Sequence, residues 1–416
     1  MPHDDLIAVI AARLDQATMR VMQLRVSAVE QHAIVGDLAF VHTMLRLLRS
    51  APADRLAVVA EAMAVGVRVS VPKTGGPTVS WLATDYPRPS EWNDVERRAF
   101  LVLAGTMAGV PVIEALAGLP DDQLVTVLQR VTDSYRERLR TMPGAVVYGA
   151  LLRHEQEIDR RAEQAREPLR SGLLGVLAEA SGLAGTVAFL DFGRRGDAAR
   201  HFATAIEAAR ESRDLDRLAW SYDRVALHLQ FAGRPADALD MLERAARECI
   251  REPASMLACS LAKEQAVNLA LLGHETRALI TLDEAYWARE KADPAEASPV
   301  WSEDATRLEA TAGYVRTVLR RPDAEDTLHV ARAKAGPDDG LQATILAALA
   351  EVYADQGELE QAAEAAAASL AIASMLGSHE RKRRVLRPWR LLASRQDVRA
   401  VRELGEQLHA AGLTAA

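Results

Sequence analysis

The stretch ALHLQFAGRPADALDMLERA, Ala226 to Ala245, decides the fold. An apolar run ends at Phe231, Gly233 follows, and then Ala238, Leu242 and Ala245 come at steps of five, four and three. A glycine at that point ends one helix in a left-handed turn without steric cost. Positions 238, 242 and 245 share one face of the next helix. The small Ala238 and Ala245 let that helix cross its predecessor closely beside the large Leu242, so the stretch predicts a helical hairpin: helix A, tight turn, helix B.

Moving outward, the same skeleton recurs forty residues upstream as Gly193, Ala198, Phe202, Ala205, and forty downstream as Gly273, Ala278, Leu282, Ala285. A weaker copy stands at Gly357, Ala362, Ala366. A degenerate copy fits between the last two, with Gly313 and Tyr314 on helix A, Ala324, Leu328 and Ala331 on helix B, and Arg320-Arg321-Pro322 in place of the glycine turn. The apolar helices A are expected over Leu218 to Phe231, Met256 to Leu272 and Leu341 to Tyr353. A fixed period of this size marks a stacked-repeat architecture that binds along an extended concave face. The predicted class is therefore all-α, a helical-hairpin solenoid over residues 167–378, followed by a helical cap over 379–416.

Residues 1–92 read as a small helical domain: helices over about Asp4 to His32, Asp37 to Arg49 and Ala53 to Val65, then alternating Val67 to Val71 and Thr78 to Leu82 around a Gly/Pro turn. Three helices and a hairpin can form a winged helix. Residues 93–166 read as connecting helices, opened by Asn93-x-x-Glu96 and broken at Gly118-Leu119-Pro120 and Pro143-Gly144.

A net charge of −8 argues against an unspecific nucleic-acid binder. Only Cys249 and Cys259 are present, which fits a reducing cytoplasm and small buried side chains. The acidic start Met1-Pro2-His3-Asp4-Asp5 predicts no export signal, and the apolar run Phe100 to Ile113 is too short for a membrane span and reads as a buried helix. Catalytic signals are lacking. Ten histidines are scattered without metal-binding spacing, His154-Glu155-Gln156-Glu157 reads as a solvated helical face, and Lys73-Thr74-Gly75-Gly76 has its glycines on the wrong side for a phosphate loop. The expectation is a non-enzyme without cofactor or metal.

The site expected instead is the groove lined by helices A. On the second unit it offers Trp220, Asp223, Arg224, Leu227 and Gln230, and on the third Lys263, Glu264 and Val267. Glu309, Arg316 and Glu351 continue the row. Mixed charge beside Trp and Leu suits a peptide or an amphipathic helix, whereas Trp220 as core between repeats is the alternative. The basic cluster Arg381-Lys382-Arg383-Arg384, with Arg387, Arg390, Arg395, Arg399 and Arg402, reads as a solvated helical cap or a contact to phosphates or an acidic partner.

Three stretches carry a family likeness: LAGTVAFLDFGRRGDAARHFATAIEAA (Leu183 to Ala209), ALHLQFAGRPADALDMLERA and AEVYADQGELEQAAEAA (Ala350 to Ala366). Together with the Arg-rich end they resemble the tetratricopeptide-repeat half of actinobacterial helix-turn-helix regulators, over roughly the last 250 residues, with a period longer than the usual value of about 34. The DNA-binding half departs from that pattern. No Gln-x-x-Leu-Ala helix with an Arg-bearing recognition helix is present, and Leu56 to Val65 lacks base-reading Arg, Asn or Gln. Thr78 to Leu82 followed by Arg88-Pro89-Ser90 resembles the end of such a module.

The resemblance implies a cytoplasmic regulatory protein, in transcription, that binds a peptide, small ligand or protein partner in its repeat groove. The partners it admits are a protein or peptide, DNA through the N-terminal region, and a second copy of the chain, with no membrane. The alternative is an adaptor that assembles proteins without touching DNA.

Overall fold

The computed structural model describes residues 120–140, 142–293, 305–336 and 338–413. The expected N-terminal helices, the hairpin, the Asn93 cap and the apolar run at 100–113 lie outside the described residues. By contact density the chain divides into two units, Met1–Glu137 with Gly149–His154, and Arg138–Tyr148 with Glu155–Ala416.

In the first unit, α1 (Asp121–Arg138) packs on the middle of α2 (Gly144–Gln164). His154 is 1% exposed. Its Nε2 lies 2.9 Å from Thr132 Oγ1, and its ring lies 5.6 Å from that of Tyr135. Burial pushes its pKa down to about 3. The expected solvated face at His154 and Glu155 is therefore overturned. His154 falls on the stripe Val147, Ala150, Leu151, Ile158, Ala162, which is buried despite the charges around it.

The second unit is a stack of five helical hairpins. They are α3 (Leu169–Leu190) with α4 (Arg195–Ser212), α5 (Leu215–Phe231) with α6 (Pro235–Cys249), and α7 (Met256–Leu271) with α8 (Glu275–Lys291). Then come α9 (Ala305–Val318) with α10 (Ala324–Lys334), and α11 (Asp339–Gln356) with α12 (Leu359–Met375). No strand occurs among the described residues.

The turns follow one backbone plan. Gly193, Gly233, Gly273 and Gly357 all have φ between 64° and 84°. At Gly273 the N–H donates to Ala270 O (2.9 Å), and the next N–H, of His274, donates to Leu269 O (2.9 Å). Gly233 and Gly357 repeat this pair of bonds, which satisfies carbonyls left open at a helix end. The degenerate unit does the same without glycine: Arg320 adopts φ 54°, and Arg321 N donates to Arg316 O at 2.9 Å.

Helices B cross their partners through the predicted small residues. Ala198, Ala238, Ala278, Ala324 and Ala362 are at most 1% exposed, and the large residues four positions on, Phe202, Leu242, Leu282 and Leu328, are buried with them. In the last hairpin Ala366 takes the large residue's place, and Ser369 Oγ donates to Ala343 O at 2.7 Å. Successive helices A pack against one another while successive helices B make no comparable contact, so helices A form the inner side of the curve.

Helices A are buried nearly all round. α7 hides Leu257 through Leu261 as well as Ala266 through Ala270, and α11 hides Ile345 through Val352 without a break. A helix apolar on every side must be covered on every side. α3, long and apolar enough to cross a membrane, is likewise enclosed, with 94% of its most apolar window buried. Part of the inner cover comes from the C-terminus. There, α13 (His379–Arg384) and α14 (Leu386–Leu392) run against α11 and α12, while α15 (Arg399–Ala410) packs on α12. Pro388 has no N–H to give to the preceding turn, which accounts for the break between α13 and α14.

Candidate ligand site in the concave interior

The C-terminal segment also closes the stack on itself. Ser378 Oγ donates to Leu190 O (3.1 Å) and His379 N to Asp191 O (3.3 Å), across 188 residues of sequence. Arg381 lies 3.8 Å from the Asp191 carboxylate, and Arg195 lies 3.6 Å from Glu380. Burial raises the Asp191 pKa, and Arg381, Ser378 Oγ and Gly144 N oppose that rise. Arg381 is itself desolvated, which lowers its pKa from the usual arginine value.

The open inner trough expected from the sequence is thus corrected: α13 and α14 lie within it. Arg381, Arg384 and Arg387 of the basic run face inward, whereas Arg383, Arg390, Arg395, Arg399 and Arg402 are exposed, as expected of a solvated cap. Arg387 Nη1 donates to Tyr314 Oη (2.6 Å), and its Nη2 stands 3.3 Å from Glu351. The Arg384 guanidinium lies over the Tyr314 ring, 4.2 Å from its centroid. Burial raises the Glu351 pKa, with Arg387 and Arg384 pulling the other way.

What remains open is a cavity of about 200 Å³. One wall is made of helix A side chains: Gln230 and Phe231 at the end of α5, Leu271 at the end of α7, and Tyr314 on α9. The other is Glu380, Arg383, Arg384, Leu386, Arg387 and Arg390. Several buried polar atoms in or beside it have no hydrogen-bond partner: Gln230 Oε1, Glu351 Oε1, Glu380 Oε1 and Arg384 Nε. Buried polar atoms in folded proteins are nearly always satisfied, so such a cluster calls for a physical account.

The predicted groove residues scatter relative to this cavity. Gln230 lines it, and Glu351 stands behind Arg387. Trp220 is 6% exposed and packs on α3, where a Cβ on Gly182 would fall 2.1 Å from its ring. Asp223 is buried and pairs with Arg224, whose guanidinium sits 5.5 Å over Trp220. Lys263 is buried with its Nζ 3.4 Å from Glu264, and Val267 belongs to the core. Leu227 is half-buried.

Glu309 accepts from Tyr286 Oη of α8 (3.0 Å), and Arg316 Nε is 3.0 Å from Asp323. The first contact joins neighbouring hairpins, and the second lies within the fourth hairpin. The sequence places Tyr314 on a helix A and gathers Arg383, Arg384, Arg387 and Arg390 in a basic cluster, with 383, 387 and 390 on one helical face, but assigns none of them to the groove. Spacing alone says nothing about what that face meets.

Other buried charges tie α2 to the first hairpin and the first hairpin to the second. Glu155 accepts from Ser181 Oγ (2.6 Å) and lies 3.0 Å from His201 Nδ1, and Arg217 Nε donates to the fully buried Glu179 (2.7 Å). Cys249 and Cys259 are both buried, as their role as small apolar residues requires, and burial pushes the Cys249 thiol up to about 11. Among the described residues no group of three or more His, Cys, Asp and Glu is placed to hold a metal.

No protein-family model and no curated protein matches the chain. Among solved structures it is similar to a Rap protein complexed with competence and sporulation factor, at 15% identity and a TM-score of 0.44 over 76% of this chain and 88% of that one. At that distance the likeness fixes neither ligand nor partner.

Proposed function

We propose that this chain is a non-enzymatic regulatory binding protein whose repeat stack receives part of a peptide or protein partner in its concave interior. The observation that carries the reading is the concentration of buried polar atoms without a hydrogen bond, from α5, α11 and α13, around one interior cavity. Each such atom costs about 1–3 kcal/mol while unpaired, and because these atoms have almost no accessible surface in the closed stack, a guest removes that cost where α13 gives way to it. One wall is the segment that closes the stack, so occupancy of the cavity and closure of the stack are coupled. A guest that contacts α13 and α14 differently in open and closed forms shifts the population between them, and with it the curvature of the repeats. The resemblance to helix-turn-helix regulators supports a role in transcription, with the N-terminal region receiving the signal.

The test places a photo-crosslinking benzoylphenylalanine at Leu386 on the cavity wall, and separately at the exposed Ile280 of α8. Protein recovered from its native host after irradiation is weighed intact. An adduct of discrete mass at Leu386 and none at Ile280 is expected. Equal labelling at both, or none at Leu386, refutes the interior site. A mobility-shift assay on the protein's own upstream DNA tests the transcriptional part, and no retardation in any ligand state refutes it.

A further inference from the structure

The helix that closes the trough is built from the wrong residues for a permanent interior. α13 reads HERKRR and, among the described residues, is the one helix without an apolar side chain, yet Ser378 before it and Glu380 within it are buried. Interiors are ordinarily filled by apolar side chains, and charges enter them when paired. Polar contacts hold α13 instead: Ser378 Oγ to Leu190 O, His379 N to Asp191 O, Arg381 to Asp191 and Ser378, and the Arg384 guanidinium on the Tyr314 ring. The fit is incomplete. His379 Nδ1, Glu380 Oε1 and Arg384 Nε make no hydrogen bond, and neither do Gln230 Oε1 on α5 and Glu351 Oε1 on α11.

The chain on either side is anchored differently. Leu376 is buried at the end of α12, and Val385, Trp389 and Leu392 belong to a core shared with α12 and α15. α13 is thus a polar stretch tethered between apolar anchors, the composition of a segment that opens while the stack stays folded. Its withdrawal takes Arg381 from the Asp191 carboxylate, a group only 11% exposed, and a buried charge that loses its partner is costly. The Tyr314 ring loses its guanidinium, and Glu351 keeps Arg387 but loses the nearby charge of Arg384. Arg195, which loses Glu380, stands against these groups. Two buried carboxylates, an amide oxygen and an aromatic face otherwise make the uncovered surface one for cations.

Resting on the interior-site reading above, we infer that α13 is an internal plug standing in for a guest, and that the guest is a cationic peptide segment. One basic side chain of the guest replaces Arg381 at Asp191, and another replaces Arg384 on the Tyr314 ring. Binding of the guest and release of α13 are then a single competition. A neutral or acidic segment leaves Asp191 buried without a counter-charge and does not displace the plug.

The probe is the plug's own sequence supplied in trans: a fluorescein-labelled peptide of residues 378–387, SHERKRRVLR, titrated onto the full-length protein and read by fluorescence polarisation. A site closed by its own plug binds with an affinity reduced to the fraction open. Arg381→Ala in the protein raises that fraction about 30-fold and leaves the trough side intact, so the variant is expected to bind the peptide about 30-fold more tightly than the wild type. The peptide carrying R381Q is expected to bind the same variant at least about tenfold more weakly. Amide exchange at saturating peptide is expected to quicken over residues 379–384 of the wild type while α7 keeps its protection.

Equal binding by wild type and R381A, or bound peptide without faster exchange at 379–384, overturns the plug. Loss of α7 protection in R381A overturns it too, because α13 is then part of the global fold. Equal binding of the R381Q peptide, or no saturable binding to R381A by about 1 mM, overturns the cationic guest. A discrete Leu386 adduct beside any of these results keeps the interior site and removes only the plug or its charge.

Discussion

Replacing Arg381 by Ala isolates the contact that closes the stack. The side chain pairs with Asp191 at 3.8 Å, and its Nη1 donates to Ser378 Oγ at 3.2 Å. The paired side chains are 24% and 11% exposed, between the surface and buried cases. Exposed pairs contribute about 0–1 kcal/mol, while removing one partner of a buried pair costs about 3–5 kcal/mol. A value of about 2 kcal/mol is therefore expected, or a roughly 30-fold larger open population. Repeat stacks are stabilised by neighbour contacts, so the loss stays local. Native-state amide exchange measures it: protection over residues 379–392 falls about 30-fold while that of α7 stays unchanged.

The Asp191 carboxyl, already pushed up by burial, moves higher without Arg381. Its charge then costs stability as pH rises through the raised pKa, so the variant's deficit shrinks toward acid pH. Gly340→Ala opens the same contact, since its methyl would stand 2.9 Å from Arg381 Nη2. A uniform loss of protection across all five hairpins, or no loss at all, refutes the idea that residues 378–381 form a separable clasp.

The turn plan predicts opposite signs at two positions. Gly357→Ala forces a Cβ into a left-handed turn at φ 84° and costs about 1–2 kcal/mol, whereas Arg320→Gly relieves a residue at φ 54° and gains up to about 1 kcal/mol, both read as urea midpoints. Gly182→Ala sets a methyl 2.1 Å from the Trp220 ring and costs about 1–3 kcal/mol by overpacking, with a shift in tryptophan fluorescence; wild-type stability would remove Trp220 from that contact. His154 is buried neutral with its pKa near 3, below the unfolded value, so its contribution is complete above about pH 6.5 and is lost as pH falls. The decline approaches about 1.4 kcal/mol per pH unit on the way to pH 3, and a ring-proton NMR midpoint near 6.5 would contradict the burial.

Much of the repeat architecture was legible in local spacing. Gly233, Ala238, Leu242 and Ala245 fix a turn and the face that follows it by short-range sterics, and the same steps recur at 193 and 273. Even the hairpin without a turn glycine kept its Ala324, Leu328, Ala331 face. The candidate site was legible only in pieces. Trp220 and Lys263 sit on helices buried on both sides, and periodicity cannot reveal a second cover supplied from far along the chain.

His154 shows the same limit on a smaller scale. Its charged neighbours suggested solvent, and its place in the stripe from Val147 to Ala162 decided otherwise.

The sequence by itself determined the hairpins, their small-residue crossings and the existence of an arginine face at 383, 387 and 390. Tertiary packing alone turns Arg387 and its neighbour Arg384 inward while Arg383 and Arg390 stay exposed, brings Ser378 and His379 to Leu190 and Asp191, and leaves a small cationic cavity between the helices A and α13 and α14. The division has a physical cause. Turns and helix faces are set by neighbours within a few residues, whereas closure depends on curvature summed over five interfaces, each adding a rotation that no single repeat encodes.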